Sequence, residues 1–328
     1  MKQLFKKVKE EYGLSVDSHR ELRNDNDSLV VFLETNAGHF VGKSLYTSAK
    51  RQQSILCVEE YMRRRNILIP KTKRTKRKSP YMKWEGHPFV LQKWVPGTPC
   101  SLVSPEGIEL AASCLGTIHA ASLGFTCKSG DLSNGAKKWH HQYDEGLGAL
   151  KRWYSSHKRS KDPKIQYICD HIPFFLTAGK KAQKKLAHSK YYAKLKRYPL
   201  HRHYLCHGDY HPKNLIVNGG HISVIDWEKV RYDYPSKDII RLLSMIMKRQ
   251  REWSEPMFAV LLKAYLRANP LTRKQMHLLY LDLAFPHNFG SFLRYRCYKR
   301  MNFSQVQFFL TGEASKTEFM LKQLKAHS

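Results

Sequence analysis

The chain has 328 residues, 42% hydrophobic and 12% aromatic, enough apolar side chain to bury a sizeable core and to exclude a wholly disordered or fibrous protein. Single cores stop growing near roughly 250–300 residues, so this length fits one large domain or two lobes. Lys and Arg number 57 against 27 Asp and Glu, a net +30 with His neutral, and such a field attracts polyanions, acidic proteins or anionic membranes. Seven scattered cysteines without a CxxC pair indicate neither a zinc site nor a complete disulfide framework, which fits a reducing compartment. Lys2, Lys6, Lys7 and Lys9 interrupt the only apolar residues at the start, and no run approaches the ~20 apolar residues of a membrane span. Synthesis and folding in a cytosol are therefore expected.

In chain order, Leu4, Phe5, Val8 and Tyr12 recur at helical spacing, and Gly13 stops the pattern. Leu29 to Leu33 and His39 to Tyr46 read as strands around a Thr35–Gly38 turn, with Val41, Lys43 and Leu45 on one face. Ser48 caps a helix to about Arg65, and Ile67 to Pro70 lead into another strand. Lys71 to Lys78 is a basic run read as the charged edge of a sheet, ahead of Tyr81 to Trp84 and Phe89 to Trp94. Two prolines and Gly97 in Trp94 to Pro99 break regular structure. The expected division is therefore a lobe over 1–93, a hinge at 94–97 and a second lobe over 98–328. Beyond the hinge helices dominate: one begun by Ser104-Pro105, a Lys-rich stretch over 136–200, and one carrying Ile239, Leu242, Leu243 and Ile246. Trp139, Trp153, Tyr154, Tyr191 and Tyr192 among the lysines read as core anchors rather than base-stacking platforms.

Chemistry concentrates in Cys206-His-Gly-Asp-Tyr-His-Pro-Lys-Asn214-Leu-Ile-Val217, followed by Asn218-Gly-Gly220 and His221-Ile-Ser-Val-Ile-Asp226-Trp-Glu228. Leu215 to Val217 and Ile222 to Ile225 form a hairpin that puts Asn214 at the start of one strand and Asp226 at the end of the other. Two carboxylates, Asp209 and Asp226, with the Asn214 amide oxygen supply hard ligands and a proton acceptor, as magnesium-assisted phosphoryl transfer requires.

These residues resemble the aminoglycoside phosphotransferase and choline kinase superfamily, whose loop reads His-Gly-Asp-x-x-x-x-Asn followed by Ile-Asp-Trp/Phe. The resemblance implies a two-lobed α+β, protein-kinase-like fold with a small sheet-bearing N-lobe and a mainly helical C-lobe. It implies Mg2+ and ATP as cofactors, Asp209 as the residue that orients or deprotonates an acceptor hydroxyl, Asn214 and Asp226 as metal ligands, and Lys43 on the nucleotide phosphates, with His207 and Gly208 shaping the loop. More narrowly, the Tyr61 to Pro70 run, the Trp94 to Gly97 hinge, Leu115 to Ser122, Lys138-Trp139 and Asp233 to Asp238 resemble the CotS/YsxE-type spore coat protein family. That family implies synthesis in the mother cell, residence in the spore coat and other coat proteins as partners.

Two features depart from the enzyme pattern. The stretch Leu22 to Ser28, where a phosphate-covering turn belongs, has no glycine and two acidic residues. Gln52 to Ile55 occupy the place of the glutamate that fixes the lysine, with Glu59 and Glu60 falling later, so Lys43 is expected to lack its partner. Both tilt the reading towards a catalytically dead scaffold that binds acidic partners, against an active small-molecule kinase. From Arg241 onward 15 Lys and Arg face 5 Asp and Glu, which disfavours a polycationic acceptor.

Overall fold

The structure is a computed structural model, described over residues 1–25, 28–127 and 131–326. The strands are β1 Val16–Asn24, β2 Ser28–Thr35, β3 Gly38–Leu45, β4 Thr72–Lys73, β5 Met82–Trp84, β6 His87–Lys93, β7 Thr98–Pro99, β8 Tyr204–Cys206, β9 Leu215–Asn218, β10 His221–Val224 and β11 Arg231–Asp233. The helices are α1 Lys2–Tyr12, α2 Ala49–Arg63, α3 Pro105–Ser122, α4 Trp139–His157, α5 Pro163–Ala187, α6 Lys190–Leu195, α7 Ser236–Gln250, α8 Glu255–Ala268, α9 Arg273–Ala284, α10 His287–Arg294 and α11 Phe303–Ala326. Contacts divide the chain into two units. The first comprises Met1–Cys100, Phe125–Leu132 and Lys213–Val230, and the second Ser101–Gly124, Ser133–Pro212 and Arg231–Ser328.

The first unit is built on an antiparallel sheet in the order β1-β2-β3-β6-β4, with β5 on β6. Alternation along β2 puts Leu29, Val31 and Leu33 on one face, where they meet Leu4, Val8 and Tyr12 of α1 and Phe89 and Leu91 of β6. Gly13 ends α1 at φ 71°, its N–H bonding the Lys9 carbonyl, and Ser48 Oγ caps α2 through the Arg51 N–H. Of the basic run at 71–78, Thr72 and Lys73 form β4, which lies outermost on its side of the sheet, as the charge suggests. Residues 67–70 are in no strand, although the Leu68 carbonyl accepts from Val224 N at 2.8 Å. Strand β1 has no counterpart in the sequence reading, because all but its first residue are exposed. Leu22 to Asn24 therefore belong to a strand. The rest of the expected phosphate turn includes Asn26 and Asp27, which lie outside the described residues, as does the side chain of Leu45. Thr98 and Pro99 pair with Val217 and Ile216, forming a second small sheet β10-β9-β7. Gly97, at φ 137°, is required there because a Cβ would stand 2.3 Å from the Val217 carbonyl oxygen.

The second unit is mainly helical. Ser104 caps α3, whose Ile108, Ala111, Ala112, Leu115 and Ile118 are buried. Helix α3 packs on α8, α4 on α5, and α9 and α11 on one another and on α5. Trp139 and Tyr192 are buried and stacked on one another, so these two are core anchors, while Trp153, Tyr154 and Tyr191 are half-buried. The two-stranded pair β11-β8 delivers the His-Gly-Asp loop.

Candidate active site

In the first unit the hairpin β9–β10 turns through Asn218, Gly219 and Gly220, the glycines at φ 55° and 77°. Its register continues beyond the strands, since Ile225 N donates to the Asn214 carbonyl at 3.0 Å. Asn214 at one strand's start and Asp226 at the other's end are thereby held side by side in the chain's pairing. Asp226 takes φ 68° and ψ 59°, a conformation an L-residue holds only at a cost. Its Oδ1 accepts from Lys43 Nζ at 3.0 Å, and Glu228 Oε1 lies 3.5 Å from the same ammonium. Lys43 comes from β3, paired with Val30 and Val90.

Glu59 of α2 is buried in the same cleft, its carboxylate accepting from Gln92 Nε2 at 3.0 and 3.1 Å, with Arg63 at 3.7 Å. Burial works against the charge of Lys43, yet Asp226 and Glu228 outweigh it and hold the ammonium above its ordinary range, with a further contribution from Glu59. Burial pushes Glu59 upward despite Arg63 and Gln92. Lys43, expected to lack the helix glutamate that is its usual partner, takes Asp226 and Glu228 instead, which come to it from 183 and 185 residues away, a pairing that spacing along α2 does not show.

In the second unit the His-Gly-Asp loop hangs from a buried carboxylate. Asp238, at the start of α7, accepts from His207 N at 2.6 Å and Gly208 N at 2.8 Å, and His119 Nε2 is 3.2 Å from it. Burial raises the Asp238 pKa, but the His119 hydrogen bond and the neighbouring His119, His207 and Arg231 charges outweigh it and hold the group below its usual value. Tyr265 OH braces the other His119 nitrogen at 2.9 Å, and Tyr210 OH donates to the Ala111 carbonyl at 2.8 Å. Gly208 takes φ 82°, so the loop turns sharply and presents Asp209. The Asp209 N–H bonds His207 Nδ1 at 3.2 Å, while its carboxylate lies 3.1 Å from Arg241 Nη2 and 3.6 Å from His211 Nε2. His119, Cys206 and Asp238 bring ligand-type atoms within 4.8 Å of one another, but both Asp238 oxygens already hold the loop.

Lys43, Asn214 and Asp226 therefore fall in the first unit, and His207, Gly208 and Asp209 in the second. Sequence reasoning gave no role to Glu228, Gln92, Asp238, His119 and Arg241, and named Glu59 only as a carboxylate falling too late on its helix. Four of these stood inside or beside the runs it singled out: Glu228 two residues after Asp226, His119 in Leu115 to Ser122, Asp238 closing Asp233 to Asp238, and Arg241 three further on.

The family model described as "Phosphotransferase enzyme family" matches residues 18–277. Spore coat protein S of Bacillus subtilis (strain 168) is 25% identical over 290 residues, covering 88% of this chain and 82% of that protein. Among solved structures, an aminoglycoside phosphotransferase from Alicyclobacillus acidocaldarius aligns with a TM-score of 0.78 at 16% identity, over 98% of this chain and 95% of that one. An amicoumacin kinase in complex with AMP-PNP, Ca2+ and Ami aligns with a TM-score of 0.65 at 16% identity, over 97% and 92%. At these identities the structural likeness shows the fold, a kinase-like α+β fold with a sheet-bearing N-terminal region and a mainly helical remainder. Among the described residues no helix is long and apolar enough to cross a membrane.

Proposed function

The chain belongs to the phosphotransferase enzyme family over residues 18–277, and from that premise we propose that it transfers the γ-phosphoryl group of Mg-ATP to a hydroxyl acceptor in association with the spore coat. The observation that carries the reading is the Lys43–Asp226 pair at 3.0 Å, supported by Glu228 and a buried Glu59. Glu59 of α2, which falls later on the helix than expected, adds to the field that keeps Lys43 charged and so weakens one of the two grounds for a dead scaffold. The other, the glycine-free stretch at 22–28, includes two residues outside the described ones. The 25% identity to Spore coat protein S supports the coat association.

The donor set fits the implied metal, because the Asp226 carboxylate and the Asn214 side-chain oxygen are hard ligands of the kind Mg2+ selects. Mg2+ bound there would supply charge neutralisation for the phosphoryl oxygens. Lys43, kept protonated by three carboxylates, binds phosphate oxygens by charge-assisted hydrogen bonds. Asp209 takes the acceptor's hydroxyl proton as that oxygen attacks phosphorus, and the Arg241 contact orients its carboxylate. A guanidinium 3.1 Å from the base repels a cationic acceptor. Together with the basic C-terminal region this favours an anionic or neutral alcohol, and the net charge of +30 favours polyanionic or acidic partners.

The test is Mg-dependent ADP formation by the purified chain with neutral and anionic alcohols. We expect turnover in the wild type and none in Asp226→Ala. Asp209→Asn should bind nucleotide nearly normally and be slowed roughly 10²- to 10⁴-fold. Failure of the wild type to bind nucleotide in the presence of Mg2+ would overturn the reading.

A further inference from the structure

Between Asp170 and Asp209 the sequence contains no Asp or Glu, while residues 176–202 alone hold seven Lys and two Arg. This stretch covers the second half of α5, all of α6 and the turn after it. On α5 the buried stripe is Phe175, Ala178, Gly179, Ala182 and Leu186, so the lysines lie on the remaining faces. Lys180, Lys181, Lys184, Lys190, Lys194 and Arg197 are exposed. Among the described residues none of the nine cations is held in an ion pair. The carboxylate that reaches this half of α5 is Asp144 of α4, and it is engaged by Gln183.

Spacing makes the absence of counter-charge consequential. Lys180 and Lys184, Lys181 and Lys185, and Lys190 and Lys194 stand four apart on their helices, where like charges repel. The next helix in contact with both α5 and α6 is α9, which opens with Arg273 and Lys274. The fold therefore carries an uncompensated repulsion that an external anion would relieve.

We propose that the exposed face of the second half of α5, α6 and the following turn is a docking surface for an acidic polypeptide segment. This sharpens the polyanion part of the functional reading by naming the surface and the class of partner, and it does not depend on phosphoryl transfer. The composition favours a polypeptide over a nucleic acid. Lys, a compact point charge, outnumbers Arg seven to two. No Phe, Tyr or Trp ring in the stretch is exposed to stack on a base: Tyr192 is buried, and Tyr191 and Tyr198 are half-buried. The second half of α5 runs about 18 Å at 1.5 Å per residue, a length that an extended acidic segment of about six residues matches.

The experiment titrates the full chain with poly-L-glutamate at low and at physiological salt. Wild type should bind, and more weakly as salt rises. K180E/K181E should bind at least tenfold more weakly, whereas K2E/K6E on α1, with the same change of net charge on exposed residues, should stay within about twofold. Because K180E and K181E create Glu-to-Lys pairs four apart, that variant should also melt roughly 1–2 °C higher without ligand, which separates lost docking from lost folding. Should it melt lower, K190A/K194A on α6 decides by the same binding ratio. Equal losses in the α5 and α1 variants would overturn the docking surface in favour of diffuse attraction. Tighter binding of a single-stranded oligonucleotide of equal charge through the same lysines would overturn the choice of partner. No binding of poly-L-glutamate at any salt would remove the polyanion reading itself while leaving phosphoryl transfer untouched.

Discussion

Asp226 and Glu228 flank a buried tryptophan, and the two carboxylates share one ammonium. Two neighbouring acids with one cation between them cannot both ionise at their ordinary pKa. Burial pushes Glu228 up to about 7, with Asp226 adding to the rise and Lys43 opposing it. A carboxyl whose folded pKa is raised holds protons that the unfolded chain has released, so its contribution to stability is complete below about 4.5 and lost as pH climbs through about 7. Glu228→Gln cannot ionise. It should therefore gain on the wild type by on the order of 1–2 kcal/mol between pH 5 and pH 8 in urea unfolding. A stability difference that does not change with pH would mean that Glu228 titrates as an ordinary carboxyl.

At the scale of elements, Asp282 of α9 joins four helices. It accepts from Tyr143 of α4 at 2.8 Å, Lys237 of α7 at 2.8 Å and His287 of α10 at 2.8 Å, and also from Ser236. Burial alone would raise its pKa, but Lys237 and His287 hold it well below the carboxylate range. A depressed pKa contributes stability above about 3.8 that disappears only in strong acid. Asp282→Ala would strand a buried lysine and a phenol, and should cost about 3–5 kcal/mol in chemical denaturation at neutral pH. Loss below about 1 kcal/mol would show that water replaces the carboxylate.

The sequence showed these elements unevenly, for physical reasons. Helices α1 and α3 and the hairpins β2–β3 and β9–β10 were legible because each has one buried face or a turn with its own chemistry, such as Gly219-Gly220. Strand β1 was not, since an edge strand with almost no buried residue has no alternation to read. The Lys43–Asp226 juxtaposition was inferable from resemblance to a family with this loop. The partners that complete the site were not. Arg241 reaches Asp209 across 32 residues, and Gln92 reaches Glu59 across 33. Such pairings are set by packing, which local spacing does not encode.

On the scale of the whole molecule, the chain passes between its two units at 100/101, 124/125, 132/133, 212/213 and 230/231. The expected boundary at 94–97 can be tested through residues 213–230, which fall with residues 1–100 in the first unit. Residues 1–100 retain the core of α1 against β2 and β6. Without 213–230, however, β7 loses β9, Cys100 N loses the Leu215 carbonyl at 2.8 Å, and the Leu68 carbonyl loses Val224 N. Arg51, which donates to the Glu228 and Val230 carbonyls at 2.7 Å each, is left without them. Lys43 loses both acids that form its ion pairs, and stranding a buried charge costs about 3–5 kcal/mol, a large share of the total stability of about 5–15 kcal/mol typical of a domain. Residues 1–100 alone should therefore show no cooperative transition in denaturant. The same residues joined through a flexible Gly/Ser linker to 213–230 should recover one, and Lys43→Met in that fusion should be tolerated better than Asp226→Ala/Glu228→Ala, because the double variant takes both acids from a buried ammonium whereas Lys43→Met leaves carboxylates that are 31% and 26% exposed. Equal cooperativity with and without the hairpin would return the boundary to 94–97 and make the hairpin an appendage of an already stable sheet.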